Sequence, residues 1–228
     1  MYESKTVTAI ILAAGSGKRM GADINKVYLR LKDKPIISYS IDKFLANKYI
    51  DEVILVIKKG EDKLFSELGY TLKTVYGGET RKDSVYNALK EAKGEIVIIQ
   101  DGARPFIKED FINRCVEAMK EFAGVTIGVK EKNTIKLTDE SGVVTETIDR
   151  SKAWQIQTPQ CFDRGLLLKA HEQYVNTAID ITDDCMLVEL MGKKVKIIEG
   201  EYSNIKITTK EDVTAAAGYL SVREKLSP

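Results

Sequence analysis

The chain is poor in the residues that drive most hydrolytic and metal chemistry. It has one histidine, His171, among 228 residues. His171 falls in a helical pattern with Leu167, Leu168 and Tyr174, which points to a core or helix-surface role. Ser-His-Asp and Cys-His hydrolysis are therefore not expected. The three cysteines, Cys115, Cys161 and Cys185, are odd in number, widely spaced and without a CxxC pair. Neither a disulfide framework nor a zinc site follows from them. Charge of one sign is also missing: the formal net charge is +1, which gives no support for bulk nucleic-acid binding. No apolar run approaches the length of a membrane span, and the start of the chain lacks a signal-peptide pattern. A soluble protein of the cytoplasm, with no nucleic-acid or membrane partner, is the expectation.

What the chain does have is an ordinary globular composition, 43% apolar and 30% charged, in a length that suits one domain over 1–228. Its most informative stretch is Ala13-Ala14-Gly15-Ser16-Gly17-Lys18-Arg19-Met20. This follows an apolar run, Val7 to Leu12, that reads as a buried strand. Small residues and the glycines Gly15 and Gly17 let backbone N–H groups approach a ligand, and Lys18, Arg19 and Lys26 add positive charge. The pattern suits a polyphosphate. It is not a Walker A loop, because Gly17-Lys18 is followed by Arg19 and Leu12 stands where the first glycine belongs. It is not a dinucleotide fingerprint either, because Met20 occupies the third glycine position.

Strands and helices then alternate. Strands are expected at Val53–Ile57, Leu72–Val75, Glu95–Gln100 and Val125–Val129. Helices are expected over Pro35–Ala46, Asp62–Leu68, Arg81–Ala92 and Glu109–Phe122. Such alternation predicts an α/β fold with a mostly parallel sheet and helices on both faces. Ligands bind such folds at the carboxyl ends of the strands, where the Gly-rich loop, Gly77-Gly78 and Asp101 all fall. From about 131 to 154 the pattern changes to a polar hairpin, Lys132–Leu137 and Val143–Ile148, turning around Asp139–Gly142. It reads as a projecting β-arm, suited to packing on a second subunit. Helices around Asp163–Tyr174 and Asp183–Met191, a strand at Lys194–Ile198 and a helix over Lys210–Arg223 complete the chain.

Four further groups carry candidate chemistry. Gly77–Val85 combines two glycines, suited to close backbone approach to a base or ribose, with Ser84 in a first helical turn. Asp101 ends a strand where a carboxylate suits magnesium; Arg104 either pairs with it or binds a phosphate. Arg150 suits bidentate grip on a phosphate monoester. Lys206, read as part of a short strand between Ile205 and Ile207, either enters a polar cleft or faces solvent.

Taken together these residues resemble the 2-C-methyl-D-erythritol 4-phosphate cytidylyltransferase family. The resemblance runs from Ile10 to about Ala217. It rests on Ala13–Met20, Asn25-Lys26, Gly77–Val85, Asp101–Pro105, Asn133–Lys136, Asp149-Arg150, Gln157–Phe162, Thr182–Asp184 and Asn204–Asp212. Each stretch is common alone; nine in this order are specific to cytidylyltransferases. The resemblance implies a Rossmann-like nucleotidyltransferase fold, CTP as co-substrate, Mg²⁺, and a homodimer joined by the arm. It implies transition-state stabilisation by Arg19 and Lys26, with Arg150 and Lys206 placing the nucleophile. Ala13, Ala14, Gly15, Gly17, Gly78, Glu79, Ser84 and Gly102 would contact CTP. Asp101, Arg104, Thr134, Thr158 and Thr182 would contact the sugar phosphate, with Asp101 also near the metal. The arm would reach the neighbouring subunit's site, which opens action in trans for Thr134 and Arg150. Gln100 and Gly102 depart from the family's usual His and Ala, and Cys185-Met186 from its usual Ala-Ser. Ribitol 5-phosphate cytidylyltransferases share most of the motifs and are the nearest alternative. Enzymes joining UTP or GTP to a hexose phosphate, and a non-catalytic nucleotide-binding protein, are more distant ones.

Overall fold

The computed structural model describes residues 1–15 and 25–226. The strand expected at the start is β1 (Val7–Leu12), five of its six residues fully buried. A two-residue hairpin, β2 (Arg30–Leu31) and β3 (Lys34–Pro35), leads into α1 (Ile36–Leu45). Then come β4 (Glu52–Ile57), α2 (Asp62–Ser66), β5 (Lys73–Tyr76) and α3 (Arg81–Glu91). The chain continues through β6 (Ile96–Asp101), α4 (Glu109–Ala118) and β7 (Gly124–Lys130). Next are β8 (Lys136–Thr138), β9 (Val144–Thr147) and β10 (Trp154–Asp163). The last elements are α5 (Arg164–Gln173), α6 (Asp184–Leu190), β11 (Val195–Glu199) and α7 (Lys210–Leu226).

Seven strands form one sheet in the order β11-β7-β10-β6-β1-β4-β5. All neighbours are parallel except β10, which lies antiparallel to both β6 and β7. Every residue of β6 is buried, as a strand covered on both faces requires. The helices that cover it bury residues at i, i+1, i+4 and i+5: Ser84, Val85, Ala88 and Leu89 in α3, and Phe111, Ile112, Cys115 and Val116 in α4. One core layer joins α1 and α4 to the sheet; the other joins α3, α5 and α6 to its opposite face. A smaller cluster, including Leu31, Phe106, Ile207 and Ala216, seats α7. His171 is buried, in agreement with a core role. Among the described residues, no helix is long and apolar enough to cross a membrane.

Two expectations need correction. Ile205–Ile207 forms no strand: Ile207 is buried and its N–H bonds Ala103 O, while Lys206 sits in irregular backbone. The segment after the arm, from which no strand was expected, is β10, ten residues in the middle of the sheet. In the arm β8 pairs with β9, the Ile148 N–H bonds Ile135 O beyond them, every residue of both strands is exposed, and their turn is held by Asp139 Oδ1, which accepts from the Ser141 and Val143 N–H groups.

The topology fixes where a ligand belongs. From β1 the chain moves outward to β4 and β5, then returns to β6 on the other side of β1. The order reverses between β1 and β6, and the crevice at their carboxyl ends is the switch point at which open α/β sheets bind ligands. Leu12 and Asp101 are register partners there, and Gly102 N–H bonds Leu12 O.

Candidate active site

Two cavities open at this crevice. One, of about 610 Å³, lies over β1 and the start of α3, lined by Ala14, Gly15, Lys26, Gly78, Ser84 and Gly102 among others. The second, of about 640 Å³, lies over β10 and the start of α6, lined by Arg104, Thr158 and Thr182 among others. Arg81, Asp101 and Lys206 line both, so the cavities meet at these three side chains.

The first cavity is shaped by close backbone approach. Ser84 Oγ accepts from Gly78 N–H at 3.1 Å and donates to Thr80 O, so this hydroxyl locks the loop onto the helix. A Cβ on Gly78 would stand 2.3 Å from the Asp83 Cβ, so only glycine fits. Asp83 is committed to a capping box with Thr80 that starts α3. Glu79 lines the same cavity. Gly102 has a steric reason too: a Cβ would lie 2.8 Å from Leu12 O. Ala13 is buried, lines neither cavity, and accepts on its carbonyl from the Asn25 amide, which also reaches Glu61. Asn25 thereby fixes the backbone that presents Lys26. Gly17 and Arg19 lie outside the described residues.

In the second cavity, Thr158 Oγ1 accepts from Asp101 N–H at 3.1 Å, which ties β10 to the end of β6. Arg104 is nearly buried; its Nη1 donates to Asn204 O at 2.8 Å and its Nε stands 3.4 Å from Asp101 Oδ2. Lys206 Nζ is 3.0 Å from the same oxygen, so of its two expected orientations it takes the one into the cleft. Arg81 Nε faces Asp101 Oδ1 at 3.7 Å, and Arg81 Nη1 pairs with Asp184 Oδ2 at 2.7 Å.

These charges set one another. Burial would raise the Asp101 pKa, but Lys206, Arg81 and Arg104 overcome it and hold the carboxyl well below the usual range. Asp184 is likewise lowered: burial opposes its charge, while Arg81 and His171 favour it. Burial works against Arg81 as a cation, and Asp184 and Asp101 together raise its pKa. Burial lowers that of Arg104, with Asp101 opposing.

The metal role expected for Asp101 does not fit this donor set. Both of its oxygens face cations, and a hard divalent ion would have to enter among three positive side chains. Among the described residues no cluster of three or more His, Cys, Asp or Glu residues is placed to hold a metal.

Thr134 and Arg150 line neither cavity. Both are exposed on the arm, where Arg150 Nη1 donates to Lys132 O at 3.0 Å. Several residues of the site carry little signal in the sequence. Arg81 lies in the Gly77–Val85 stretch, where the pattern marks only a helix start. Asn25 is marked only by its place beside Lys26. Gln157 and Gln160 line the second cavity, and no local pattern singles them out.

A crevice at a switch point, one half shaped by glycines and the other closed around arginine, lysine and threonine, defines an α/β nucleotidyltransferase. The comparisons with known proteins narrow the class. The model of the family "2-C-methyl-D-erythritol 4-phosphate cytidylyltransferase" matches residues 7–222. The protein of that name from Clostridioides difficile (strain 630) is 42% identical over 226 residues, 96% of this chain and 95% of its own. That of Clostridium beijerinckii is 43% identical over 217 residues, 92% of this chain and 96% of its own. The solved structure of 4-diphosphocytidyl-2C-methyl-D-erythritol synthase from Anaerococcus prevotii superposes with a TM-score of 0.86 at 36% identity, covering 95% of this chain and 96% of that one. The chain belongs to the 2-C-methyl-D-erythritol 4-phosphate cytidylyltransferase family.

Proposed function

We propose that this protein, acting as one nucleotidyltransferase domain over 1–228, transfers the cytidylyl group of CTP to 2-C-methyl-D-erythritol 4-phosphate. The products are 4-diphosphocytidyl-2-C-methyl-D-erythritol, a step of non-mevalonate isoprenoid biosynthesis, and pyrophosphate. One observation carries the reading: the two cavities of a chain in this family meet at Asp101, Arg81 and Lys206. CTP takes the cavity over β1 and α3; the sugar phosphate takes the one over β10 and α6.

The nucleophile is already an anionic phosphate oxygen, so no protein base is needed. It attacks the α-phosphorus of CTP, a new P–O bond forms, and the bond to the leaving pyrophosphate breaks in line. The difficulty is that two anions must meet while charge grows on the leaving group. Arg19 and Lys26 stabilise that charge, and Lys206 with Arg104, Thr158 and Thr182 holds the incoming phosphate. Arg150 and Thr134 act from the arm of a second subunit. Ile135, Leu137, Val143 and Val144 are exposed apolar residues on the arm, which supports its packing in a homodimer. A triphosphate brings magnesium through its own oxygens, so the ion would arrive with CTP. The three buried, unpaired cysteines suit the reducing cytoplasm.

Pyrophosphate release tests this, with CTP, UTP and GTP each offered against methylerythritol 4-phosphate and ribitol 5-phosphate. Release confined to CTP with methylerythritol 4-phosphate is expected. A preference for ribitol 5-phosphate, or no release with any pair, overturns the reading. Sedimentation of a Leu137→Glu, Val144→Glu variant tests the dimer; a sedimentation coefficient equal to that of the wild type refutes arm-mediated assembly.

A further inference from the structure

Arg81 opens α3, at a helix N-terminus where the backbone dipole disfavours a cation. Its place is explained by what its guanidinium touches. One end pairs with Asp184 at 2.7 Å; the other faces Asp101 at 3.7 Å. Asp184 opens α6 and is 1% exposed. Behind Asp184 stands His171 of α5, its Nε2 3.6 Å from Asp184 Oδ1 and its ring stacked on Tyr86 of α3 at 5.9 Å. Three helices thus converge on one buried carboxylate, and the arginine that answers it extends to the residue at which the two cavities meet.

A tie between α3 and α6 alone does not require charge, since an apolar pair commonly serves a buried contact equally well. The second contact of Arg81 is what an apolar pair would lose. Asp101 divides its oxygens, Oδ1 toward Arg81 and Oδ2 toward Lys206 and Arg104. We propose that Arg81, anchored from behind by Asp184 and His171, is a positioning residue that fixes the carboxylate plane of Asp101 and so aims Lys206 at the incoming sugar phosphate. The inference rests on the functional reading above and deepens it. Without the anchor, Asp101 turns toward whichever cation remains and takes Lys206 with it. The half of the cleft that holds the sugar phosphate suffers, while the glycine-shaped half over β1 does not.

Arg81→Met, Asp184→Asn and the double variant test the chain of contacts, with KM measured separately for each substrate. Each single variant is expected to raise KM for the sugar phosphate about tenfold, the scale of one lost charge-assisted contact. For Asp184→Asn, whose side chain lines neither cavity, KM for CTP should stay within about twofold, and the double variant should raise the sugar-phosphate KM no more than the worse single one, because one unit has been broken twice. Arg81→Lys should restore part of the loss, as its single ammonium answers only one carboxylate at a time. Arg81→Met leaves Asp184 buried with only His171 beside it and risks misfolding. Asp184→Asn removes that charge, so the double variant against Asp184→Asn still decides. Independent, multiplying effects, an equal rise in both KM values, or no rise overturns the proposal. A wild-type protein without cytidylyl transfer overturns the functional reading itself; an active wild type with multiplying variants overturns only the role of Arg81.

Discussion

Replacing Asp101 by asparagine keeps the side chain's shape and removes its charge. In the native cleft two carboxylates, Asp101 and Asp184, face three cations, and the variant leaves Asp184 alone against Arg81, Arg104 and Lys206. The cations stand 3.0, 3.4 and 3.7 Å from Asp101. At such distances each attraction is on the order of 5 kcal/mol at an effective dielectric of about 20, before desolvation is subtracted. Breaking a buried pair costs about 3–5 kcal/mol. Lys206 and Arg81 are roughly a third exposed, so screening brings the expected loss to about 2 kcal/mol. For a chain of this size that lowers Tm by about 4–8 °C. Thermal unfolding followed by circular dichroism measures it at pH 7 and again in acid. Because the folded pKa of Asp101 lies below its unfolded value, its contribution is present above the ordinary aspartate range, near pH 4, and is lost as pH falls through the folded value. The gap between wild type and variant should therefore close in acid. Pyrophosphate should raise the variant's Tm more than the wild type's, since an anion then meets uncompensated cations. Equal Tm values at neutral pH, or a gap that widens in acid, would refute the account of Asp101 as an ion-pair hub.

Three further outcomes are expected. Gly78→Ala places a Cβ 2.3 Å from Asp83 and must shift the first turn of α3, so KM for CTP should rise about tenfold while that for the sugar phosphate holds; equal KM values for CTP would count against the cavity assignment. Thr80→Ala removes the hydroxyl half of the capping box, leaving Asp83 Oδ2 to accept from the residue-80 N–H, and should cost about 1 kcal/mol, seen as a Tm lower by about 2–4 °C; no change would show that the cap does not limit stability. Burial pushes the thiols of Cys115, Cys161 and Cys185 up, so all three should resist a thiol reagent until the protein unfolds. Folded values above unfolded ones also mean that stability falls once pH rises past about 8.5, the unfolded thiol range. Rapid labelling of the native protein would contradict this.

The parallel strands were legible because each is a short apolar run bounded by turn residues. Strand β10 was not, because Gln155, Gln157, Pro159 and Gln160 give it the look of a loop, and proline argues against a central strand. The structure reconciles the two: ladder pairing with β7 breaks between Ile156 and Gln160, and Pro159 lies inside the break. The polar residues are there because this part of the strand lines the cleft. The site was legible where its residues lie in contiguous motifs, as with Gly78, Ser84 and Lys206. Asp101 and its pairing with Arg104 were legible at a strand end, but the other two cations around the carboxylate were not. The cations around it come from α3, from the turn after β6 and from a segment a hundred residues downstream, and no local pattern joins them. Arg81, Asp184 and His171 were hidden for the same reason.

The course of β10 has a mechanical consequence. The strand begins where the arm ends, with Trp154 paired to Lys130, and four residues on it carries the hydroxyl that receives the Asp101 N–H. At strand rise that separation is about 13 Å. The arm and the cleft are thus opposite ends of one short tiller, with the gap in the ladder as its soft point. Whatever grips the arm also loads the backbone on which Thr158 rides, and whatever stiffens Thr158 stiffens the root of the arm in return.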